Sequence, residues 1–303
     1  MIAPDNSLDH EDSYLEFLRK RADKVFHVTA YAGNAGDSLI QLGTQRMLAD
    51  LSIRTTGDPE DAQVILVPGG NPTLWPSIGA ERWQAMWRRY PHSEFVVGPA
   101  GFRNGFSDWT GIVNEEESTV SGLFARDPLG LRCLEESRLP ASITYGLAPD
   151  PALYLRGSDW LATHREAATE QFDLAAFRND HETSGSCAFA WRITSSILPS
   201  RFHRRLSRGL ASPARRRKTR IARARNAPTG LPLVCNDVAR ERLDVFVQTV
   251  RAARTVHTDR LHTMLLAAML GKKVFAYPTS HSKLESVYAY ALKDWADVTL
   301  VPM

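Results

Sequence analysis

The sequence predicts an α/β protein built of two lobes, each with a parallel sheet covered by helices. The chain has 303 residues, more than one ordinary hydrophobic core accommodates, so two lobes are expected. Hydrophobic residues make up 43% and charged residues 23%, as in ordinary globular proteins. Apolar runs that end in glycine alternate with amphipathic segments, and this alternation predicts parallel strands joined by crossover helices.

The first lobe shows this alternation from its beginning. Apolar residues at helical spacing from about Ser7 to Ala22 precede a β-branched and aromatic run, KVFHVTAYAG, that ends in a glycine loop. An amphipathic helix, DSLIQLGTQRMLADL, follows that loop. The order then repeats through AQVILVPGG, ERWQAMWRRY, SEFVVGPAGF, STVSGLFARDPLGLRCLEES and SITYGLAPDPALYL.

The second lobe is predicted to begin after Leu155, so that residues 1–155 form the N-terminal lobe and 156–303 the C-terminal lobe. FDLAAFRND has the pattern of its first strand, and helices and strands then alternate through LDVFVQTVRAA, RTVHT, RLHTMLLAAMLG, KKVFAY and LESVYAYALKDW. Sheets of this kind bind ligands beyond the carboxyl ends of their strands. The glycine loops therefore predict an active site between the lobes.

Positive charge is concentrated in one segment. The net charge is +3, yet the stretch from Thr183 to Asn236 contains 12 Lys and Arg residues and no Asp or Glu. We interpret residues 184–231 as a basic insertion in the C-terminal lobe. Its second half, from Ser212 to Gly230, has few large apolar residues and cannot close a core. We expect it to be a surface insertion that is partly mobile.

Several classes of protein are disfavoured. The acidic N-terminal residues and the lack of a long apolar run predict a cytoplasmic protein without a membrane span. Cys133, Cys187 and Cys235 lack the spacing of a metal or redox site, and no metal is expected. The loop GNAGD lacks the glycine pattern of the dinucleotide fingerprint and the GK[ST] of the P-loop.

Strand-end loops of the first lobe supply candidate binding residues. In AGNAGDSLI, Gly33 and Gly36 permit a tight turn, Asn34 lies between them, and Asp37 is suited to cap the following helix. A second loop, VPGGN, contributes Gly70 and Asn71. FARDPLG and APDPALYL end two later strands.

The segment RTVHTDRLHTMLLAAMLG carries the sharpest prediction. A strand ends where Asp259 opens an apolar helix that closes at Gly271, so Arg260 and His262 fall in the first helical turn. The free N–H groups and positive end of a helix favour an anion, and an arginine fork strengthens such a site. The competing interpretation is structural: Arg260 pairs with a nearby acid and His262 is a partly buried histidine.

Together these segments resemble the polysaccharide pyruvyl transferase family. The resemblance is carried by the ordered set GNAGD, PGGN, a strand ending in RD, DPAL and TDRLH, and it spans about Val25 to Pro302. The chain departs from the family pattern in its short glycine run and its long basic insertion.

The resemblance implies a GT-B-like fold, two Rossmann-like lobes facing across a cleft, with the donor on the C-terminal lobe and the acceptor on the N-terminal lobe. It implies phosphoenolpyruvate as donor, with no other cofactor, and a sugar of a polysaccharide or exopolysaccharide, or a lipid-linked saccharide, as acceptor. Donor contacts carry over to Arg260, Leu261 and His262, with Arg178 as a second arginine. The product would be a pyruvate ketal.

The residues fit that chemistry. A donor with a phosphate and a carboxylate requires at least two cationic centres, which Arg178 and Arg260 provide. His262 is the natural general acid, and Asp37, by its position, is a candidate general base. Two alternatives stay open: a GT-B glycosyltransferase that uses a nucleotide sugar, and a catalytically silent scaffold of a polysaccharide cluster.

The basic segment has interpretations of its own. Residues 201–225 are suited to an anionic membrane surface or a lipid-linked acceptor, which would place the protein at the inner face of the membrane, and the alternative is a solvated loop. Nucleic acid is not expected as a partner, because only Trp191 and Phe202 lie among the cations.

Overall fold

The computed structural model describes residues 13–30, 33–70, 80–103, 109–165, 169–178, 213–226, 230–279 and 282–302. The chain divides into two compact units. The first comprises Met1–Ala32 and Ile40–Leu155, and the second comprises Gly33–Leu39 and Arg156–Met303. The loop and helix start at Gly33–Leu39 therefore group with the second unit.

The first unit is a parallel sheet with helices. Its six strands run in the order β2-β1-β3-β4-β5-β6 and are β1 Val25–Val28, β2 Arg54–Thr55, β3 Val64–Val67, β4 Glu94–Ala100, β5 Val120–Ala125 and β6 Thr144–Leu147. The accompanying helices are α1 Ser13–Arg19, α2 Ala35–Asp50, α3 Ala80–Arg89, α4 Trp109–Val113 and α5 Pro128–Glu136.

Strand β3 shows that this sheet is buried on both faces. All four of its residues are buried. Ile65 and Val67 pack into one apolar cluster with Trp83 and Trp87, whereas Val64 and Leu66 pack into a second cluster with residues of α1. The alternation of side chains along a strand sends successive residues to opposite faces, so a continuous apolar run is required here.

The second unit is also a parallel sheet. Its five strands run in the order β11-β10-β9-β7-β8 and are β7 Phe172–Ala176, β8 Leu233–Cys235, β9 Ala253–Thr258, β10 Lys273–Ala276 and β11 Val298–Leu300. Its helices are α6 Asp159–Arg165, α7 Pro213–Asn226, α8 Leu243–Ala252, α9 Leu261–Met269 and α10 Lys283–Val287.

The predicted α/β class with two Rossmann-like lobes is confirmed, since each unit is a parallel sheet with crossover helices. The stop of α9 is also as predicted. Gly271 has φ 72°, and its N–H and that of Lys272 donate to the carbonyls of Ala268 and Ala267. This is the Schellman arrangement, which favours glycine at that position. Among the described helices, none is long and apolar enough to cross a membrane.

The described part of Ser212–Gly230 packs on the second unit through one of its faces. Residues Pro213–Asn226 form α7, and Ala222 packs in an apolar cluster with Phe177 and Tyr277. Lys218 on the same helix is buried and bonded to a carboxylate. The cation is accommodated inside because its charge is paired, which composition alone does not reveal.

Candidate active site

The turn between β9 and α9 is fixed to the neighbouring strand. The hydroxyl of Thr258 donates to the carbonyl of Ala176 at the end of β7 (2.9 Å) and accepts the N–H of Arg260 (2.9 Å). The first intrahelical bond of α9 runs from Met264 N to Arg260 O, at 3.0 Å. The N–H groups of the first turn, Leu261 to Thr263, therefore precede the helical ladder and carry the positive end of the helix.

Asp259 was predicted to open the helix, but it is buried before the helix, and Arg260 holds the N-cap position of α9. One carboxylate oxygen accepts the N–H of Arg178 (2.7 Å), and the other accepts the ammonium of Lys218 (2.9 Å). Lys218 also donates to the carbonyl of Pro278 (2.9 Å). Three segments are thus tied together at the base of the turn: the end of β7, helix α7 and the loop after β10.

Arg260 is held by a carboxylate. Its Nε and Nη2 donate to the two oxygens of Asp237, at 2.9 and 2.5 Å, and its residue exposure is 6%. Arg240 approaches the same carboxylate at 3.2 Å. The structural interpretation, that Arg260 pairs with an acid, therefore holds. A bidentate pair of this kind also fixes the plane and direction of the guanidinium.

His262 lies against the first turn of α2, within the second unit. A Cβ atom added to Gly36 would lie 2.7 Å from Cγ and 2.8 Å from Cβ of His262, and closer still to Nδ1. His262 itself is half-buried. The sequence singled out both residues, and the structure brings them into direct contact, so glycine at position 36 is required by the imidazole.

The start of α2 is closed by a reciprocal cap. The Asn34 side-chain oxygen accepts the N–H of Gly36 (2.8 Å), and Asp37 accepts the N–H of Asn34 (2.8 Å). A Cβ at Gly33 would lie 2.5 Å from Cβ and Cγ of Asp37. This is the logic of a capping box, so the capping role considered for Asp37 is present. Its carboxylate is half-buried.

The VPGGN loop belongs to the first unit. Gly70 has φ 98° and pairs with Ala100, and its carbonyl accepts the N–H of Gly101 (2.8 Å). The left-handed backbone there is one that side chains rarely adopt. Asn71 lies outside the described residues.

Two other strand-end segments are occupied by buried ion pairs. Arg126 Nη1 donates to Asp150 at 2.9 Å, and both side chains are almost fully buried. Asp127 caps α5 through the N–H of Gly130 and accepts Arg103 at 3.1 Å. These pairs fix the carboxyl ends of β5 and β6 in the first unit.

The remaining predicted donor residues are Leu261, at the start of α9, and Arg178, which follows β7 and is bonded to the turn. Arg178 is 7% exposed and is linked to Asp259 through its backbone. Leu261 is buried at the start of α9. In the part of the chain that the structure describes, no group of three or more His, Cys, Asp or Glu side chains could hold a metal ion.

A sequence profile of the polysaccharide pyruvyl transferases matches residues 34–281. The chain belongs to this family. The match includes the loop with Asn34 and Gly36 and the whole turn with Arg178, Asp237 and Arg260. A pyruvyl transferase acts with a pyruvate donor and a saccharide acceptor, and the family is one of transferases.

One solved structure resembles this pyruvyl transferase family member in fold, and a second is less similar. A functionally uncharacterised protein of Klebsiella pneumoniae has a TM-score of 0.63 at 15% identity, covering 96% of this chain and 98% of that one. UDP-GlcNAc 2-epimerase of Methanocaldococcus jannaschii has a TM-score of 0.40 at 10% identity, covering 91% and 88%. A search of curated proteins finds no match.

Sequence reasoning missed two residues of this pyruvyl transferase turn, Asp237 and Lys218. Each contacts a partner far along the chain, Arg260 and Asp259, so spacing gives no signal for either. A partial signal exists for Asp237, because it lies two residues after strand β8, whose carboxyl end is at the same edge of the sheet.

Proposed function

We propose that this protein transfers the enolpyruvyl group of phosphoenolpyruvate to a sugar and closes it as a pyruvate ketal. The observation that carries the proposal is the start of α9, where Arg260, fixed by Asp237, stands one residue before the helix and His262 stands in its first turn. The dianionic donor would bind at this positive helix end.

Cationic side chains near the turn support an anionic ligand. Arg240 and Arg260 pair with Asp237, Lys218 pairs with Asp259, and Arg178 is tied to Asp259 through its backbone N–H. Phosphoenolpyruvate carries a phosphate and a carboxylate, the two groups that arginine side chains bind.

Ketal formation requires one proton to be added to the donor and two protons to be removed from the acceptor. A proton is added to the methylene carbon of the donor, and an acceptor hydroxyl oxygen bonds to the adjacent carbon. The bond from that carbon to the phosphate oxygen breaks, and a second hydroxyl of the same sugar takes its place. Of the two hydroxyl protons released, one balances the proton gained by carbon and the other leaves with phosphate.

We assign the proton donor to His262 and the acceptor of the hydroxyl proton to Asp37. His262 stands in the first turn of the helix that would hold the donor, and Asp37 lies in the first turn of α2, whose Gly36 touches His262. Both residues are half-buried. The cap at Asn34 holds the Asp37 carboxylate in one orientation.

The test is incubation of the purified protein with phosphoenolpyruvate and candidate saccharides, followed by mass spectrometry of the saccharide and assay of phosphate. We expect phosphate release and a mass gain of one pyruvic acid less one water, both absent in His262→Ala and Arg260→Ala. A gain of one hexose less one water from a nucleotide sugar would overturn the proposal in favour of a glycosyltransferase.

A further inference from the structure

Helix α7 presents an exposed face made of arginine. Arg216, Arg217, Arg220 and Arg223 are exposed and recur at helical spacing, so they share one side of the helix. The sequence of the helix, PARRRKTRIARARN, contains no acidic residue that could neutralise them. Within the described residues, none of the four takes part in an ion pair with any other element.

The opposite side of α7 is anchored to the second unit. Lys218 and Ala222 are buried there, one turn apart, and Ile221 packs beside Ala222 against the sheet. Because Lys218 bonds to Asp259 and Pro278, the helix cannot rotate its arginines inward without breaking a buried ion pair. The arginine face is therefore a fixed, outward-facing cationic surface.

We infer that this arginine face docks the protein onto an anionic phospholipid membrane surface. Clusters of four or more cations on one helix face are attracted by the surface potential of acidic lipids, each cation contributing additively. The helix has no aromatic side chain for stacking on bases, and its one amide, Asn226, donates to the carbonyl of Leu231. Those features favour a lipid surface over nucleic acid.

The inference is tested by sedimentation of the full chain with vesicles of phosphatidylcholine alone or mixed with phosphatidylglycerol. We expect binding only to the mixed vesicles and its loss at high salt. The quadruple variant Arg216→Gln, Arg217→Gln, Arg220→Gln and Arg223→Gln should weaken partition by about fivefold for each arginine removed. It retains Lys218 and Ala222, so circular dichroism should show an unchanged fold.

Two matched controls separate surface charge from other causes. Replacing the same four arginines by lysine keeps the charge and should keep binding. Replacing Arg19, Arg54, Arg132 and Arg138 by glutamine removes four exposed charges elsewhere and should also leave binding unchanged. Absence of binding to mixed vesicles, equal binding by the α7 glutamine variant, or α7-dependent binding to DNA without vesicle binding would each overturn the inference. Vesicle binding is measured without donor or acceptor, so it is independent of the proposed reaction.

Discussion

Gly36 and His262 are in contact, and the contact leaves no room for a side chain at position 36. The imidazole occupies the space into which a Cβ of Gly36 would project, 2.7 Å from Cγ of His262. The glycine loop after β1 and the helix start after β9 are 226 positions apart in the chain but form one local arrangement. The glycine sets where the imidazole sits.

Gly36→Ala should therefore displace His262. We expect the pyruvyl transfer rate to fall by about 100-fold, because a shift of about 1 Å in a reacting group has that effect. Overpacking should also destabilise the fold by about 1–3 kcal/mol. Activity and thermal unfolding are compared with Gly57→Ala, where no atom lies within 4 Å of the added Cβ. A wild-type rate in Gly36→Ala would show that the position of His262 does not matter.

Asp37 is a helix cap in the structure and a general base in the proposal, and one substitution distinguishes the two roles. Asp37→Asn retains an oxygen that can accept the Asn34 N–H, so stability should change by less than about 1 kcal/mol. It removes the proton acceptor, so the rate should fall by about 100- to 10,000-fold. The rate of pyruvyl transfer and the thermal unfolding of Asp37→Asn are both measured. A normal rate would show that Asp37 acts as a helix cap alone.

Lys218→Met should destabilise the second unit strongly. Lys218 and Asp259 side chains are each 1% exposed, so the substitution leaves a carboxylate buried without its cation. The expected loss is about 3–5 kcal/mol in the free energy of unfolding, measured by urea denaturation.

Two controls belong with that measurement. The double variant Lys218→Met with Asp259→Asn removes both charges and should recover much of the stability. Lys20→Met breaks an exposed pair with Glu16 and should change stability by less than about 1 kcal/mol. Equal effects at positions 20 and 218 would contradict a buried ion pair.

The burial of Lys218 is one feature of the fold that the sequence does not predict. Alternating apolar runs and glycine loops predicted both sheets, and the end of α9 at Gly271 followed from the sequence pattern. A run of twelve cations without an acid has the composition of a solvated surface, yet one of its members lies inside. The partner, Asp259, is 41 positions away, and pairs at such separations leave no periodic signal.

For the candidate site, the sequence predicted where single residues lie but not which residues pair. Arg260 and His262 were placed at the helix start by the switch from strand to helix periodicity. The pairing of Arg260 with Asp237 was not predictable. The end of β8 comes close to the turn after β9 only because of the order of the strands in the sheet. Asp237 and Asp259 follow the two strands that flank β7, and the sequence does not say which of them meets the guanidinium.

His257 should make the fold sensitive to mild acid. It is buried on β9, its Nδ1 lies 3.1 Å from the Tyr277 hydroxyl, and burial lowers its pKa from 6.5 to about 4, with Asp173 opposing and Arg225 assisting. The unfolded chain therefore binds a proton that the folded chain does not. Stability is complete above pH 6.5 and should decline by about 3 kcal/mol as the pH falls to about 4.

His257→Gln removes this titration and should flatten the decline between those values, as measured by urea unfolding against pH. Glu94 provides an internal contrast. Burial alone would raise its pKa, but hydrogen bonds from Lys24, Arg21 and Ser121 hold the pKa at about 2. Its contribution is lost only below pH 4.5, so it should persist in the variant. An unchanged profile in His257→Gln would contradict the assignment.

Donor binding at the start of α9 is tested most directly by titration calorimetry of phosphoenolpyruvate into the purified protein, with Arg260→Gln as the variant. The account predicts saturable binding at a single site, weakened by about 10- to 100-fold in Arg260→Gln because one charge-assisted contact is lost. No binding to the wild-type protein, or equal affinity in the variant, would contradict it.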